Sequence, residues 1–269
     1  MAEWPRLADK PSIVQKEGCM SGHSKWSTIK RKKAANDAKR GKLFTKLLKE
    51  IQIAAKVGGP NPEGNPRLKT AVQTAKSQSV PNDNIERAIK KGAGDDEGLD
   101  YEEITYEGYG PGGVAILVKS LTENRNRTVA EVRHAFGKYN GSLGSTNSVA
   151  YQFTDKGVFT FAKDAIEEDV LFEAALEAGA EDVSDEGEVW QVLTEVSSFG
   201  EVRDALDALG KEYEGELTSV PESTVKVSGS DAETLLKLLD ALDDLDDVQK
   251  VVANFEMDDD ELARAAEEG

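Results

Sequence analysis

The sequence predicts an α+β protein in which an N-terminal helical domain is followed by two ferredoxin-like α/β domains, one inserted in the other. Three observations carry that prediction. The hydrophobic period is helical between residues 37 and 92 and becomes strand-like after a linker rich in Gly and Asp at 92–100. Residues 158–219 then read β-α-β-β-α-β, the split arrangement of a ferredoxin-like sheet. The pieces flanking that stretch, 114–153 and 224–255, each read β-α-β and complete a second such unit around it. The resulting division is a flexible extension at 1–19, a basic helical domain at 20–92, a discontinuous domain at 93–156 plus 221–258, an inserted domain at 157–220 and an acidic tail at 259–269.

Residues 1–19 hold three basic and three acidic residues, two prolines and no period, as an extension does. The charge regime changes at Met20, which makes Met20 a candidate initiator. Residues 26–35 suit a short helix or an arm that orders on binding. From Asp37 the apolar positions Leu43, Leu47, Ile51 and Ala54 fall at helical spacing, with Phe44 and Leu48 widening the stripe, and Gly58-Gly59-Pro60 ends the helix. Asn65 is placed to cap a second helix that has Pro66 in its first position and Leu68, Ala71, Val72 and Ala75 on its apolar face. A third helix begins at Asn82 or Asp83, turns Ile85, Ala88 and Ile89 inward and closes at Gly92 as its C′ residue.

Beyond the linker, strands at 104–109 and 114–120 flank the turn Gly110-Pro111-Gly112-Gly113. A helix at 128–139 carries Val129, Val132 and Phe136 on one side, and a third strand is expected at 149–153. The inserted unit follows as a strand at 158–162, a helix at 167–178, strands at 181–185 and 189–195, a helix at 198–209 and a strand at 213–219. A strand at 224–227, a helix at 231–242 and a strand at 248–255 return to the host.

Charge follows the same division. Residues 20–91 carry 17 Lys and Arg against 5 Asp and Glu, a net of +12, whereas 92–269 carry 13 against 43, a net of −30, so the overall −18 conceals a dipole. A polyanion is drawn to one end of such a molecule and repelled by the other, which points to nucleic acid despite the sequence pI of about 4.6. One cysteine, Cys19, excludes an intramolecular disulfide and a Cys-based metal site. No run reaches the roughly 18 apolar residues of a membrane span, and no signal-peptide core is present, so a cytoplasmic setting is expected.

The motifs of catalysis are missing, with no G-x-x-x-x-G-K-[ST], G-x-S-x-G, H-E-x-x-H or paired C-x-x-C. The glycines at 108–113 lie between strands, where a turn is wanted, and not ahead of a helix, where a phosphate loop would be. His23 and His134 have no ligand partner at short spacing; His23 suits a phosphate donor in the basic arm and His134 a packed helix residue. The acidic clusters at 243–247 and 258–260 lack the glycine of a calcium loop and read as solvated helix ends or as charge that opposes aggregation. No enzyme activity, cofactor or metal is therefore expected.

The strings S-G-H-S-K-W from Ser21, R-G-K-L-F-T-K-L-L-K-E-I from Arg40, G-G-P-N-P-E-G-N-P-R-L from Gly58, D-N-I-E-R-A-I-K-K-G from Asp83 and E-G-Y-G-P-G-G-V from Glu107 resemble the YebC/PmpR family. The match runs from Met20 to about Met257. It implies a helical N-terminal domain plus two α/β domains. Some members of that family are described as cytoplasmic DNA-binding transcriptional regulators; others, including a mitochondrial activator of cytochrome oxidase subunit synthesis, act on translation at the ribosome.

The expectation is thus a non-catalytic nucleic-acid-binding regulator, a DNA-binding transcriptional regulator in the first instance. A translation factor meeting rRNA or tRNA on the ribosome is the alternative, and an acidic protein-interaction scaffold the third class. Lys25, Lys30, Arg31, Lys32, Lys33, Lys39, Arg40, Lys42 and Lys46 are the candidate phosphate contacts, with His23 beside them. Trp26 suits stacking on a base and packing in the helical core equally. Asn and Gln that read bases are few near the block, so the pattern positions a nucleic acid without specifying its sequence. The loops at 109–113 and 140–147 are rich in Gly, Ser and Asn, a composition that fits close approach to RNA and ordinary turns alike. The sequence leaves the oligomeric state open.

Overall fold

The computed structural model describes residues 26, 37–94, 101–187, 189–258 and 261–262, with the backbone alone for 37–40. Helix α1 (Asp37–Gly58), helix α2 (Pro66–Ser77) and helix α3 (Asn82–Ala93) make the helical domain. Ile51 and Ala54 of the anticipated stripe are buried with Leu68, Ala71 and Val72 of α2 and Ile85 and Ala88 of α3. Asn65 joins two of these helices, because its Oδ1 accepts from the Leu68 N–H at 3.1 Å to cap α2 while its Nδ2 donates to the Ala54 and Gly59 carbonyls at 2.7 and 2.9 Å. Replacing Asn65 by Ala removes a cap and leaves buried polar groups without partners. The expected loss is about 2–4 kcal/mol, readable by calorimetry of the full chain.

Gly92 does not close α3 from outside as anticipated. It lies within the helix, buried against α1, where an added Cβ would fall 2.2 Å from the Gln52 carbonyl oxygen. Here the glycine is required by the close approach of two helices and not by a C-terminal cap.

The host sheet is built on the hairpin of β1 (Glu102–Tyr109) and β2 (Ala115–Thr122), in unbroken register from Glu102↔Thr122 to Tyr109↔Ala115. The 3-10 turn Pro111–Gly113 closes it, with Gly112 at a φ of +71° that a side chain would resist. With β3 (Ser142–Leu143) and β9 (Val248–Ala253) the order is β3-β1-β2-β9, antiparallel throughout. Helices α4 (Arg125–Lys138) and α7 (Gly229–Asp243) cover one face, burying Val132, Phe136, Leu235 and Leu239 on Ile116, Val118 and Val251. Alternate residues of the same strands, Ala115, Leu117 and Val252, meet Val149 on the other face. A short parallel pair, β8 (Val225–Lys226) with β10 (Phe255–Glu256), flanks the sheet.

Between β3 and β8 the chain forms β4 (Phe153–Ala162), α5 (Glu168–Glu177), β5 (Asp182–Asp185), β6 (Val189–Glu195), α6 (Phe199–Ala208) and β7 (Glu214–Pro221). Their sheet order is β5-β6-β4-β7 with every pair antiparallel, the ferredoxin-like order. Its core has Phe159 stacked on Phe199 at 4.7 Å, with Phe161, Leu171, Val192 and Leu206 around them. Phe153 pairs with Pro221, so the chain enters and leaves this unit on neighbouring strands.

One anticipated host strand is absent. Residues 150–152 form a 3-10 turn, and the strand that follows begins at Phe153 and belongs to the inserted sheet. The cause is a competing acceptor, since the Val149 and Ala150 N–H groups donate to the carboxylate of Glu107 and not to a strand partner. The host edge is instead the two-residue β3, and the host strand order differs from that of the insert.

Candidate nucleic-acid interface

His23, Lys25, Lys30, Arg31, Lys32 and Lys33 lie outside the described residues. Trp26 is helical and 9% exposed, and it belongs to the apolar cluster of the host sheet, with Val132, Leu242 and Met257, and not to the helical core. Lys39 and Arg40 fall on the first turn of α1. Lys42, Lys46 and Lys49 follow at i, i+4 and i+7 on one side of that helix, and all three reach the C-terminal end of α7. Lys42 Nζ donates to the Asp244 carbonyl at 3.1 Å, Lys46 Nζ to the Asp243 carbonyl at 2.5 Å, and Lys49 Nζ to the Asp246 carbonyl at 3.0 Å. Carboxylates add to this, Asp243 at 3.3 Å from Lys46 and Asp247 at 3.3 Å from Lys49.

The physical logic is that of a helix C-terminus. Its last carbonyls have no partner within the helix and carry the negative end of the macrodipole, so ammonium groups are stabilised there. The cluster at 243–247 is therefore more than the solvated helix end its composition suggested: Asp244 and Asp246 keep exposed side chains, while the main chain with Asp243 and Asp247 forms the acidic seat of a basic helix.

Asp247 is the deepest part of that seat, 3% exposed. It accepts from Arg127 Nη2 at 2.5 Å, Thr128 Oγ1 at 2.9 Å and Thr122 Oγ1 at 3.1 Å, besides Lys49. Burial pushes its carboxyl up, and the hydrogen bonds from Arg127, Thr128 and Lys49 outweigh burial and hold it below the usual carboxylate range. Arg67 makes a second tie between helices and sheet, lying 2.7 Å from Glu50 of α1 and 2.6 Å from Glu103 of β1.

Glu107, on β1, organises the far edge of the host sheet. It is 4% exposed, and its carboxylate accepts from the N–H groups of Asn147 at 2.6 Å, Val149 at 2.8 Å and Ala150 at 2.8 Å. Its own carbonyl accepts from Gly144 at 2.7 Å. Burial raises its proton affinity, and the donated N–H groups more than reverse this, so the group is held below its ordinary value. Neither Glu107 nor Asp247 is visible as a site in the sequence, since an isolated acidic residue on a strand or beside other acids carries no spacing signal. His134, anticipated as packed, is exposed on α4. At the other candidate loop, Gly110 and Pro111 are buried, with Ile116 and Leu235 2.9 and 3.0 Å from where a Gly110 Cβ would stand, while Gly112 and Gly113 face solvent. Among the described residues no helix is long and apolar enough to cross a membrane.

Comparison with known proteins matches residues 24–95 to the TACO1/YebC protein N-terminal domain and residues 101–255 to the TACO1/YebC second and third domain. A relative in Geobacter sulfurreducens, named a probable transcriptional regulatory protein, is 56% identical over 246 residues, covering 91% of this chain and 99% of its own. One of the same name in Trichlorobacter lovleyi is 58% identical over the same shares. The crystal structure of a conserved hypothetical protein from Aquifex aeolicus is similar with a TM-score of 0.78 at 50% identity, covering 83% of this chain and 93% of that one.

Proposed function

The chain belongs to the TACO1/YebC family, and from that premise we propose that it is a non-catalytic, DNA-binding regulator of transcription acting in the cytoplasm. The names of the relatives support regulation. The observation that carries nucleic-acid binding is the segregation of charge, +12 over residues 20–91 against −30 over 92–269. In this reading Lys25, Lys30, Arg31, Lys32, Lys33, Lys39 and Arg40 contact phosphate, with His23 as a further donor. Lys42 and Lys46 already hold anionic and carbonyl oxygens at the end of α7, so for them a phosphate replaces one acceptor by another. Such an exchange costs little when the new partner is itself anionic, and it ties binding to release of α1 from its acidic seat.

Crosslinking in cells, followed by identification of the bound nucleic acid, tests the proposal. Promoter DNA is the expected recovery. Recovery of rRNA or tRNA in its place moves the protein to translation, and recovery of neither removes nucleic acid as the partner.

A further inference from the structure

Residues 164–186 hold ten Asp and Glu and no Lys or Arg. Helix α5 lies within them, and its Asp169, Glu173 and Glu177 are exposed at i, i+4 and i+8, a single row along the helix. Like charges at that spacing destabilise a helix, and Glu177 sits in the last turn, where the macrodipole favours a cation. Among the described residues no Lys or Arg lies within ion-pair distance of any of the three. Lys156 and Lys163 are engaged elsewhere, the first with Glu181 and Glu195, the second with Asp185. The row therefore works against the helix that carries it, and a cation supplied from outside relieves it.

Beside this row the same helix exposes Phe172 and Leu176, 47% and 38% accessible and one turn apart at i and i+4. A lone exposed leucine is ordinary on a soluble protein. A phenylalanine next to a leucine on one helix face is a continuous apolar ridge, and Asp169 and Glu173 each stand three residues before one of the two. Leu171 and Ala175 of α5 are fully buried in the core of the insert, so folding takes those positions inward and leaves Phe172 and Leu176 outside. Val170, on another side of the helix, lines a cleft with Ile166 and Leu209 and is no part of the ridge.

We propose that this face of α5 docks a cationic amphipathic helix of a partner protein. Apolar side chains of that helix pack on Phe172 and Leu176, and the Lys or Arg beside them meet Asp169, Glu173 and Glu177. The ridge anchors the partner, while the carboxylates steer it and set its orientation. Charge also decides the occupant. A second copy of this chain sets acid against acid at the same face, and a nucleic acid or an anionic membrane surface is repelled for the same reason. The inference concerns a protein partner, so it stands or falls separately from nucleic-acid binding by the basic head.

The test uses the full chain and fluorescence anisotropy at low salt with a labelled synthetic peptide of Leu, Ala and Lys. The peptide has about 18 residues, long enough to be helical when bound, with its leucines on one face and lysines flanking them. A second peptide has the same composition in an order that gives no apolar face. The wild type is expected to bind the first roughly tenfold more tightly than the second. Phe172→Ala with Leu176→Ala is expected to weaken binding of the first by roughly tenfold, and so is Asp169→Asn with Glu173→Gln and Glu177→Gln. The charge variant is expected to melt no lower than the wild type, because the row it removes is repulsive, so its loss of binding is not a loss of fold. Phe172→Leu keeps the ridge and is expected to bind within about threefold of the wild type. A wild type that binds neither peptide, binds both equally, or loses nothing in either set of substitutions overturns the proposal. Self-association in sedimentation velocity that Phe172→Ala with Leu176→Ala abolishes gives the face to a second copy and overturns it as well.

Discussion

Replacing Glu107 by Gln is expected to destabilise the protein by about 3 kcal/mol, which for a chain of this size lowers the thermal midpoint by roughly 6–12 °C. The carboxylate is 4% exposed and receives three main-chain N–H groups, two of them on one oxygen. Charge-assisted bonds of this kind are roughly twice as strong as neutral ones. An amide in its place keeps one acceptor and turns an NH2 toward N–H donors, so at least one donor is left without a partner. The sign with pH follows from the depressed proton affinity of the folded carboxyl. Its contribution is fully present above the unfolded value of about 4.3 and is lost as pH falls through the lower folded value. Thermal melts at falling pH are expected to show a loss steepening below about pH 4 in the wild type and blunted in Glu107→Gln. A variant that melts with the wild type at neutral pH would show that the loop does not depend on this group.

Replacing Lys30, Arg31, Lys32 and Lys33 together by Ala is expected to weaken duplex DNA binding by about a hundredfold or more at low salt, because each lost phosphate contact forfeits the release of nearly one counterion. The loss is expected across DNA sequences, since phosphate contacts position without specifying. The thermal midpoint is expected to move by no more than a stability change of about 0.5 kcal/mol produces, the outcome for cations that serve a ligand and not the fold. A collapse of the midpoint would instead make the run part of the fold.

Local rules carried much of the architecture. Asn65-Pro66 marked a helix start because cap chemistry is read from neighbours alone, and the inserted unit was legible because each of its strands and helices keeps its own period. What escaped depends on partners distant in sequence. Val149 has the composition of a strand, yet its N–H is taken by a carboxylate 42 residues away. Gly92 looks like a helix terminator until Gln52 is brought against it. The run at 243–247 reads as solvated charge because nothing local reveals that α1 will lay three lysines on it. The sequence leaves Trp26 open between a base and the helical core, and the fold places it in the host sheet's cluster. For the site, charge segregation is visible from composition, whereas the roles of Glu107 and Asp247 emerge only once the chain is folded.

The central claim, that the basic head binds nucleic acid through phosphates, is tested most directly by measuring the affinity of the full chain for duplex DNA as a function of salt. If about six cationic side chains displace counterions, log affinity falls against log salt with a slope of about −5, and the fourfold Ala variant lowers that slope to about −2. A flat response, or a slope that the four substitutions leave unchanged, would contradict the account.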